Sequence, residues 1–225
     1  ICDSTTHKLV DVVRDRKSYS LKQYFYRFEP KTRLKVKTIS IDMYLPYIQL
    51  IKEMFPNAKI IIDPFHIVQA LNRELNRTRV RVMNKHRYKD PKLYRKLKHY
   101  WKLILKNPNE LQNYKYNRYK LFESFMTTQG IVDYILENNP SLKHDYEVVH
   151  SLRECIQDRD YIEFKETIEA ATQLDLSPGL KRVLKTLMTY LPYIQNTCEY
   201  PTRTNGPIEG INNKIKVLKR NAYGF

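Results

Sequence analysis

Short apolar runs alternate with an amphipathic stretch in the first third of the chain, which is the pattern of an α/β fold. Residues 34–41 and 59–62 predict two strands, which end directly before Asp42 and Asp63. Residues 45–55 between them place Ile48, Ile51 and Phe55 at helical spacing. A strand, a helix and a strand within about thirty residues predict a parallel, right-handed crossover unit.

Weaker signals precede this unit. Residues 1–2 and 8–13 predict two strands joined by the turn-forming residues 3–6, and residues 20–28 favour a short helix. We therefore expect a hairpin and a helix before the crossover.

Helical periodicity runs from residue 64 to about residue 198, with few strand signals. We assign Leu121, Phe122 and Phe125 to one of these helices. Four proline-containing pairs predict the breaks between helices: Asp90-Pro91, Asn107-Pro108, Asn139-Pro140 and Ser177-Pro178. The predicted organisation is an α/β part over residues 1–68, an all-helical insertion over residues 69–200, and a return to the first part over residues 201–225.

The last segment predicts a helix that begins abruptly. Pro207 suits the first helical position, with Gly206 or Asn205 as N-cap. Four apolar residues repeat at helical spacing and predict a buried stripe: Ile208, Ile211, Ile215 and Leu218. A separate polar face carries Glu209, Asn213, Lys216 and Arg220. Glu209 either completes a capping box or binds a metal ion beside a phosphate backbone.

Two aspartates follow the predicted parallel strands, where open α/β sheets bind their ligands. Asp42 is either a turn residue or a functional carboxylate, and spacing alone does not separate the two. Asp63 precedes Pro64, so we favour an N-cap for it. His66 lies one turn into that helix, either as a partly buried structural histidine or as a support for the carboxylates.

The charge of +16 is unevenly distributed over the 225 residues. Residues 69–120 hold 16 basic and 3 acidic side chains, more than a solvated helix surface normally carries. Binding of a polyanion explains this block better than binding to an anionic membrane surface. Seven aromatic residues lie within it, either as helix-packing residues, which we favour for most, or as groups that stack on unpaired bases: Tyr88, Tyr94, Tyr100, Trp101, Tyr114, Tyr116 and Tyr119.

Several classes of protein are disfavoured by the composition. The sequence has no run of 18 apolar residues for a membrane span and no recognisable signal peptide. Cys2, Cys155 and Cys198 form neither a disulfide framework nor a zinc pattern. We expect a cytoplasmic protein, and because the chain begins with Ile1 inside an apolar run, we expect it to be part of a longer one.

Five motifs in order along the chain resemble the ISL-three family of bacterial insertion-sequence transposases. They are IDMYLPY at 41–47, FPNA at 55–58, DPFHIV at 63–68, NGPIEGIN at 205–212 and RNAYGF at 220–225. The resemblance implies an α/β ribonuclease-H-like core with a large all-helical insertion, helix-dominated overall. It also implies that the first strand of the core, which bears the family's first catalytic aspartate, lies before residue 1.

The resemblance further implies the catalytic groups. Asp42 is the second acid and Glu209 the third acid of a DDE triad, and both are metal ligands. His66 matches the family's Asp-x-x-His element close to the catalytic centre. The implied cofactor is Mg²⁺, with Mn²⁺ as a substitute, in a two-metal phosphoryl-transfer site.

The implied activity is metal-dependent cleavage of DNA followed by strand transfer. The implied partner is double-stranded DNA, both the terminal inverted repeats of the element and the target, bound by a homodimer or higher oligomer at the nucleoid. We expect eight cations to contact phosphates: Arg77, Arg81, Lys85, Arg87, Lys214, Lys216, Lys219 and Arg220. Two alternatives remain, a catalytically inactive or domesticated DNA-binding relative and a ribonuclease-H-like nuclease that cuts without joining.

Overall fold

A computed structural model describes residues 1–203 and 206–222, without the side chains of residues 207–209. The fold is dominated by helices and contains small sheets. The chain divides into two compact units. Unit 1 comprises residues 1–67 and 190–225, and unit 2 comprises residues 68–189. The further division into a ribonuclease-H-like core and an insertion stays a prediction.

Unit 1 is built around the predicted crossover. Its elements in chain order are α1 (Ser18–Tyr26), α2 (Pro30–Arg33), β1 (Thr38–Ile41), α3 (Leu45–Met54), β2 (Lys59–Ile62), the start of α4 (Pro64–Lys85), the end of α10 (Pro178–Glu199) and α11 (Gly206–Asn221). Its buried apolar residues include Ile48, Ile51 and Phe55 of the α3 segment, as their spacing predicts. The ring of Phe25 meets that of Phe55 edge-on, which holds α1 against α3.

The sheet of unit 1 confirms the predicted parallel pairing. β1 and β2 are in register from Thr38 opposite Lys59 to Ile41 opposite Ile62. The ladder continues one step further, because the Asp63 N–H donates to the Ile41 carbonyl at 3.0 Å. Asp42 and Asp63 therefore follow paired strand ends at one edge of the sheet.

Side chains from α10 cover the outer edge of β2. The hydroxyl of Thr197 accepts the Ile62 N–H at 3.1 Å and donates to the Ile62 carbonyl at 2.7 Å. The amide of Asn196 donates to the Ile60 carbonyl at 2.8 Å. These bonds satisfy backbone groups that an edge strand otherwise leaves open.

The amino-terminal residues form a turn rather than two strands. A single antiparallel bridge joins Cys2 to Leu9, and the Asp3 carboxylate accepts the N–H groups of Thr5 and Thr6. The predicted turn is therefore confirmed, whereas the prediction of extended strands is wrong. The Asp3 carboxylate stabilises the turn through these local bonds, which do not require strands on either side of it.

Unit 2 is a set of helices with one small hairpin. Its elements are the rest of α4, α5 (Pro91–His99), α6 (Trp101–Leu105), a 3₁₀ turn (Pro108–Glu110), β3 (Asn117–Arg118), β4 (Phe125–Met126), α7 (Thr128–Glu137), α8 (Pro140–Asp158), α9 (Tyr161–Ala171) and the start of α10. All four predicted proline breaks are confirmed, because a helix or turn begins at each proline.

A buried hydrogen-bond network joins three helices of unit 2. Asp145 of α8 is fully buried, and its carboxylate accepts the Thr78 hydroxyl of α4 at 2.7 Å and the Ser177 N–H at 2.9 Å. The Ser177 hydroxyl in turn accepts the Leu180 N–H at the start of α10. A buried carboxylate is tolerated here because each oxygen has a donor.

Residues 117–126 contradict the predicted helix. Asn117 pairs with Met126 and Arg118 with Phe125 as antiparallel strands, and Leu121 adopts a positive φ of 73° in the turn. A residue in the left-handed region interrupts helical geometry, so Leu121, Phe122 and Phe125 do not share a helix.

The buried stripe predicted for α11 is also wrong. Ile211 is half-buried, but Ile215 is 40% and Leu218 is 66% exposed. Asn205 and the side chain of Ile208 lie outside the described residues. The helix itself is present over the predicted residues. Periodicity therefore predicted the helix correctly, but it did not predict that Ile215 and Leu218 would be exposed.

Thr197→Val tests the edge covering. Valine keeps the shape of threonine but leaves the Ile62 N–H and carbonyl without their side-chain partner, so we expect a loss of about 1–3 kcal/mol in the free energy of unfolding. Urea denaturation measures this loss. Thr189→Val is the matched control, because Thr189 is exposed on the same helix and bonds only to the Lys185 carbonyl. Equal effects of the two substitutions would contradict the assignment.

Candidate active site and DNA interface

The candidate site of unit 1 begins at the carboxyl end of β1. Ile41 is buried in the strand, and the next residue, Asp42, leaves the sheet with its side chain 54% exposed. The Asp42 carbonyl accepts the Tyr44 N–H at 2.8 Å, which turns the chain into α3. The carboxylate is therefore presented to solvent from a rigid strand end.

His66 contacts this carboxylate from the first turn of α4. Its Nε2 lies 2.8 Å from Asp42 Oδ1, and its side chain is 23% exposed. At this distance Nε2 carries the proton and donates to the carboxylate. Such a bond fixes one oxygen of Asp42 and its rotamer. A histidine that supports the carboxylate of Asp42 must contact it, and His66 does so. That His66 has this role in catalysis stays a prediction.

Asp63 has a structural environment although it lies beside Asp42 in register. It is buried, and its Oδ1 accepts the Phe65 N–H at 3.1 Å while its carbonyl accepts the His66 N–H. This is the geometry of an N-cap preceding Pro64, as predicted. Asp63 thereby orients the first turn of α4, which carries His66.

The side chain of Glu209 lies outside the described residues, although its backbone belongs to α11. Within the described part of the chain, no group of three His, Cys, Asp or Glu side chains is placed to hold a metal ion. Asp42 offers the hard oxygen ligand that Mg²⁺ prefers, but the described residues alone do not make a complete metal site.

Sequence reasoning missed two exposed aromatic residues beside the acids. Tyr44 and Phe65 each stand two residues after an aspartate, and about half of each side chain is exposed. Phe65 meets the ring of His66 edge-on at 5.5 Å. The repeated Asp-x-aromatic spacing in the sequence indicates both residues, and the Phe65 ring adds apolar surface beside His66.

Unit 2 presents cations along one side of α4. Arg73, Arg77, Arg81 and Lys85 are all exposed and follow one another at intervals of four residues, so they form a single stripe along the helix. Arg87 is exposed just beyond the helix end. The four predicted phosphate-contacting residues of this region are thus all accessible, and Arg73 extends their row by one turn.

Other cations of the basic block serve the fold. Arg79 is buried and donates to the Leu97 carbonyl at 2.9 Å and to Asn76 at 2.8 Å. Lys96 lies over the rings of Phe122 and Tyr134, at 4.3 and 4.0 Å from their centroids. The excess charge of residues 69–120 is therefore partly structural and partly surface charge. The packed cations and the exposed cations differ in the side of the helix on which they lie. Composition alone does not give that difference.

Arg77 combines both roles, because its guanidinium pairs with the buried carboxylate of Glu74 while most of its side chain stays exposed. In unit 1, α11 presents a second set of exposed cations, which are the predicted Lys214, Lys216, Lys219 and Arg220.

The aromatic residues of the basic block divide into two groups. Tyr100 is buried and Tyr94 and Tyr119 are half-buried, as packing requires. Four others are exposed, and the packing interpretation does not account for them: Tyr88, Trp101, Tyr114 and Tyr116.

One buried histidine of unit 2 is structural. His150 lines a groove of about 370 Å³, and burial lowers its pKa to about 4, so its ring is neutral at pH 7. Nε2 lies 3.0 Å from the Ile104 carbonyl, and Nδ1 accepts from Arg153 at 3.1 Å. The Nε2 contact joins α8 to α6, and the Nδ1 contact lies within α8.

The comparisons with known proteins identify the class. A family model described as a transposase, of the DDE type named after ISL-three, matches residues 1–225. The chain therefore belongs to this transposase family, as its motifs indicate.

Two relatives extend the comparison. The transposase for insertion sequence element IS1001 of Bordetella parapertussis is 29% identical over 212 residues, which are 93% of this chain and 49% of that protein. A protein of Lactococcus lactis subsp. lactis named an ATP-dependent protease is 36% identical over 118 residues, which are 52% of this chain and 36% of that protein. The chain thus spans half or less of the length of these curated relatives.

No solved structure matches the chain. In the ranges 1–203 and 206–222, each helix is too short or too polar to cross a bilayer.

Substitution of the two aspartates separates their roles. Asp63→Ala removes a buried N-cap, so we expect it to lower the free energy of unfolding by about 0.5–2 kcal/mol. Asp42→Ala removes a half-exposed carboxylate paired with His66, and we expect a loss below about 1 kcal/mol. Thermal and urea unfolding of both variants check this difference. A larger loss for Asp42→Ala than for Asp63→Ala would contradict the assignment, because it would show that Asp42 has the structural role.

Proposed function

We propose that this chain supplies the catalytic region of a DDE-type transposase, which cleaves DNA and joins a 3′ end to target DNA. The observation that carries the proposal is the Asp42–His66 pair, a carboxylate exposed at a parallel strand end and held at 2.8 Å by a histidine. Membership of the transposase family gives this pair its chemical context. The order β1, α3, β2, α4 with parallel pairing supports a ribonuclease-H-like core.

Asp42 and Glu209 are the proposed ligands of a divalent cation, Mg²⁺ or Mn²⁺. When bound, such an ion lowers the pKa of the attacking hydroxyl and neutralises charge on the scissile phosphate. The protein's part is to hold the ligands in place. The His66 bond fixes one oxygen of Asp42, and the Asp63 cap fixes the turn from which His66 projects.

DNA is held, in this proposal, by the cationic stripe of unit 2 and by the cations of α11. A row of four cations at intervals of one helical turn places charges about 6 Å apart along α4, which suits contact with successive phosphates. Such contacts position the duplex without reading its sequence. Oligomerisation on the two ends of an element belongs to the same proposal.

Glu209→Gln and Asp42→Asn test the catalytic assignment in the full-length protein. Both substitutions keep the shape of the side chain and remove its charge, so we expect cleavage of a labelled duplex carrying the element end to fall by at least ~10²-fold. Dissociation constants for the same DNA should change little. Glu199→Gln is the matched control, because Glu199 is an exposed acid of unit 1 that pairs with Lys59.

Retained cleavage in Glu209→Gln would remove Glu209 from the site. Wild-type protein that binds DNA but never cleaves it in Mg²⁺ or Mn²⁺ would favour a non-catalytic DNA-binding relative. Cleavage without any joined product would favour a nuclease.

Neutralising Arg77, Arg81, Lys85 and Arg87 to glutamine tests three residues of the stripe together with Arg87, which follows the helix end. Each lost phosphate contact should reduce the slope of log K against log salt by about 0.9, so DNA binding becomes weaker and less dependent on salt. Fluorescence anisotropy over a salt series measures the slope. The control replaces four exposed cations elsewhere in unit 2, which are Lys165, Lys181, Arg182 and Lys185. Equal slopes for the two variants would show that the stripe does not contact DNA.

A further inference from the structure

Hydrogen bonds close the base of the hairpin of unit 2. The Gln112 N–H donates to the Thr128 hydroxyl at 2.7 Å, and the Gln129 N–H donates to the Gln112 carbonyl at 3.1 Å. Thr127 then caps α7 through the Gly130 N–H. Residues 112–128 thus leave and re-enter the helical part of unit 2 at a closed junction.

An aromatic cluster anchors the inner side of the hairpin turn. The ring of Tyr100 meets Tyr119 and Phe122, and Phe122 meets Tyr134 edge-on at 5.4 Å. The Tyr100 hydroxyl donates to the Lys120 carbonyl, and Lys96 lies over two of the rings. These contacts hold the turn, including the strained Leu121, against α5 and α7.

The outer side of the hairpin carries a different set of residues. Exposure alternates along β3 and its flanks, so that Tyr116, Arg118 and Lys120 point outward while Asn117 and Tyr119 are half-buried. Phe125 lies directly opposite Arg118 in the ladder and is 62% exposed; Tyr116 is 65% exposed. We call Tyr116, Arg118, Lys120 and Phe125 the hairpin face.

Two features of the hairpin face point to a ligand. Hydrogen bonds and ring contacts fix the backbone that carries these rings, so stacking of a flat partner needs no ordering of the backbone and removes the exposed apolar surface of the rings from water. Arg118 and Lys120 beside the rings, with Lys115 exposed nearby, attract phosphate; Glu123 is the single acid within residues 111–126.

We propose that the hairpin face binds unpaired bases of DNA, with Tyr116 and Phe125 stacking on bases and Arg118 and Lys120 contacting the adjacent phosphates. This inference rests on the proposed function and deepens it, because it names frayed or single-stranded DNA beside the duplex as the substrate of unit 2. Aromatic platforms of this kind bind every base, since each base has a π-face, so the contact is independent of sequence.

A second copy of the chain fits the same face less well. Two identical faces would bring Arg118 and Lys120 against the same cations of the other copy, and like charges repel. A DNA strand instead offers bases to the two rings and phosphates to the two cations.

The test compares two DNA probes, a blunt duplex and the same duplex with an unpaired oligothymidine extension. Wild-type protein should bind the extended duplex more tightly. Replacing Tyr116 and Phe125 together by alanine should remove that preference, which we expect to be roughly 10-fold per ring, and leave the affinity for blunt duplex unchanged. Tyr116→Phe keeps the ring and should retain the preference.

Tyr19→Ala is the control, because Tyr19 is equally exposed but lies on α1 of unit 1. Circular dichroism verifies that the variants are folded. A preference that survives the double substitution overturns the inference and leaves the proposed function standing, because the blunt duplex is still bound. Failure of the wild type to bind either probe overturns the proposed function itself. Conversion of an oligomer to a monomer by the double substitution, with the preference retained, assigns the face to self-association instead.

Discussion

The bonds from Thr197 and Asn196 to the edge of β2 are the constraint on which unit 1 depends. A parallel sheet of two short strands exposes backbone donors and acceptors along both edges, and on its own it is too small to be stable. The chain leaves unit 1 through α4, forms the whole of unit 2, and returns along α10 to supply these side chains. Thr197 and Asn196 follow unit 2 in the chain. The outer edge of β2 is therefore satisfied by residues that come after the whole of unit 2.

The candidate site is arranged by the strand ends themselves. Its described residues, Asp42 and His66, come from the position directly after β1 and from the first turn of α4. Asp63 and Asp42 occupy equivalent positions at neighbouring strand ends, yet one is buried under the helix it caps and the other is exposed. The difference arises because the chain after β2 enters its helix at once through Pro64, whereas the chain after β1 first makes a turn closed by the Tyr44 N–H.

Sequence patterns predicted the parallel crossover and the proline-initiated helices because both depend on local chemistry. Proline at the first helical position and asparagine, aspartate or serine before it act within a single turn of chain. Failures occurred where the outcome depends on distant residues. The Phe122 ring is drawn into a cluster with Tyr100 and Tyr134, which overrides the helical spacing of its segment. The apolar residues of α11 have helical spacing, but spacing alone does not provide a surface that buries them.

For the site, the sequence indicated the two aspartates, the histidine and the basic block. It could not show that the His66 ring meets the Asp42 carboxylate, since the two residues lie on different elements far apart in the chain. It also could not separate Arg79 and Lys96, which serve packing, from the stripe on α4, because that distinction depends on which side of each helix faces α5 and α7.

The exposed apolar residues of the hairpin and of α11 give the net charge a second physical role. Surfaces that keep a phenylalanine and a leucine largely in water favour aggregation, and a charge of +16 opposes it by mutual repulsion between molecules. Salt shortens the range of that repulsion to about 10 Å at 0.1 M and about 3 Å at 1 M. The colloidal stability of this chain is therefore coupled to the ionic strength around it, because added salt weakens the repulsion that keeps the exposed apolar residues of neighbouring molecules apart.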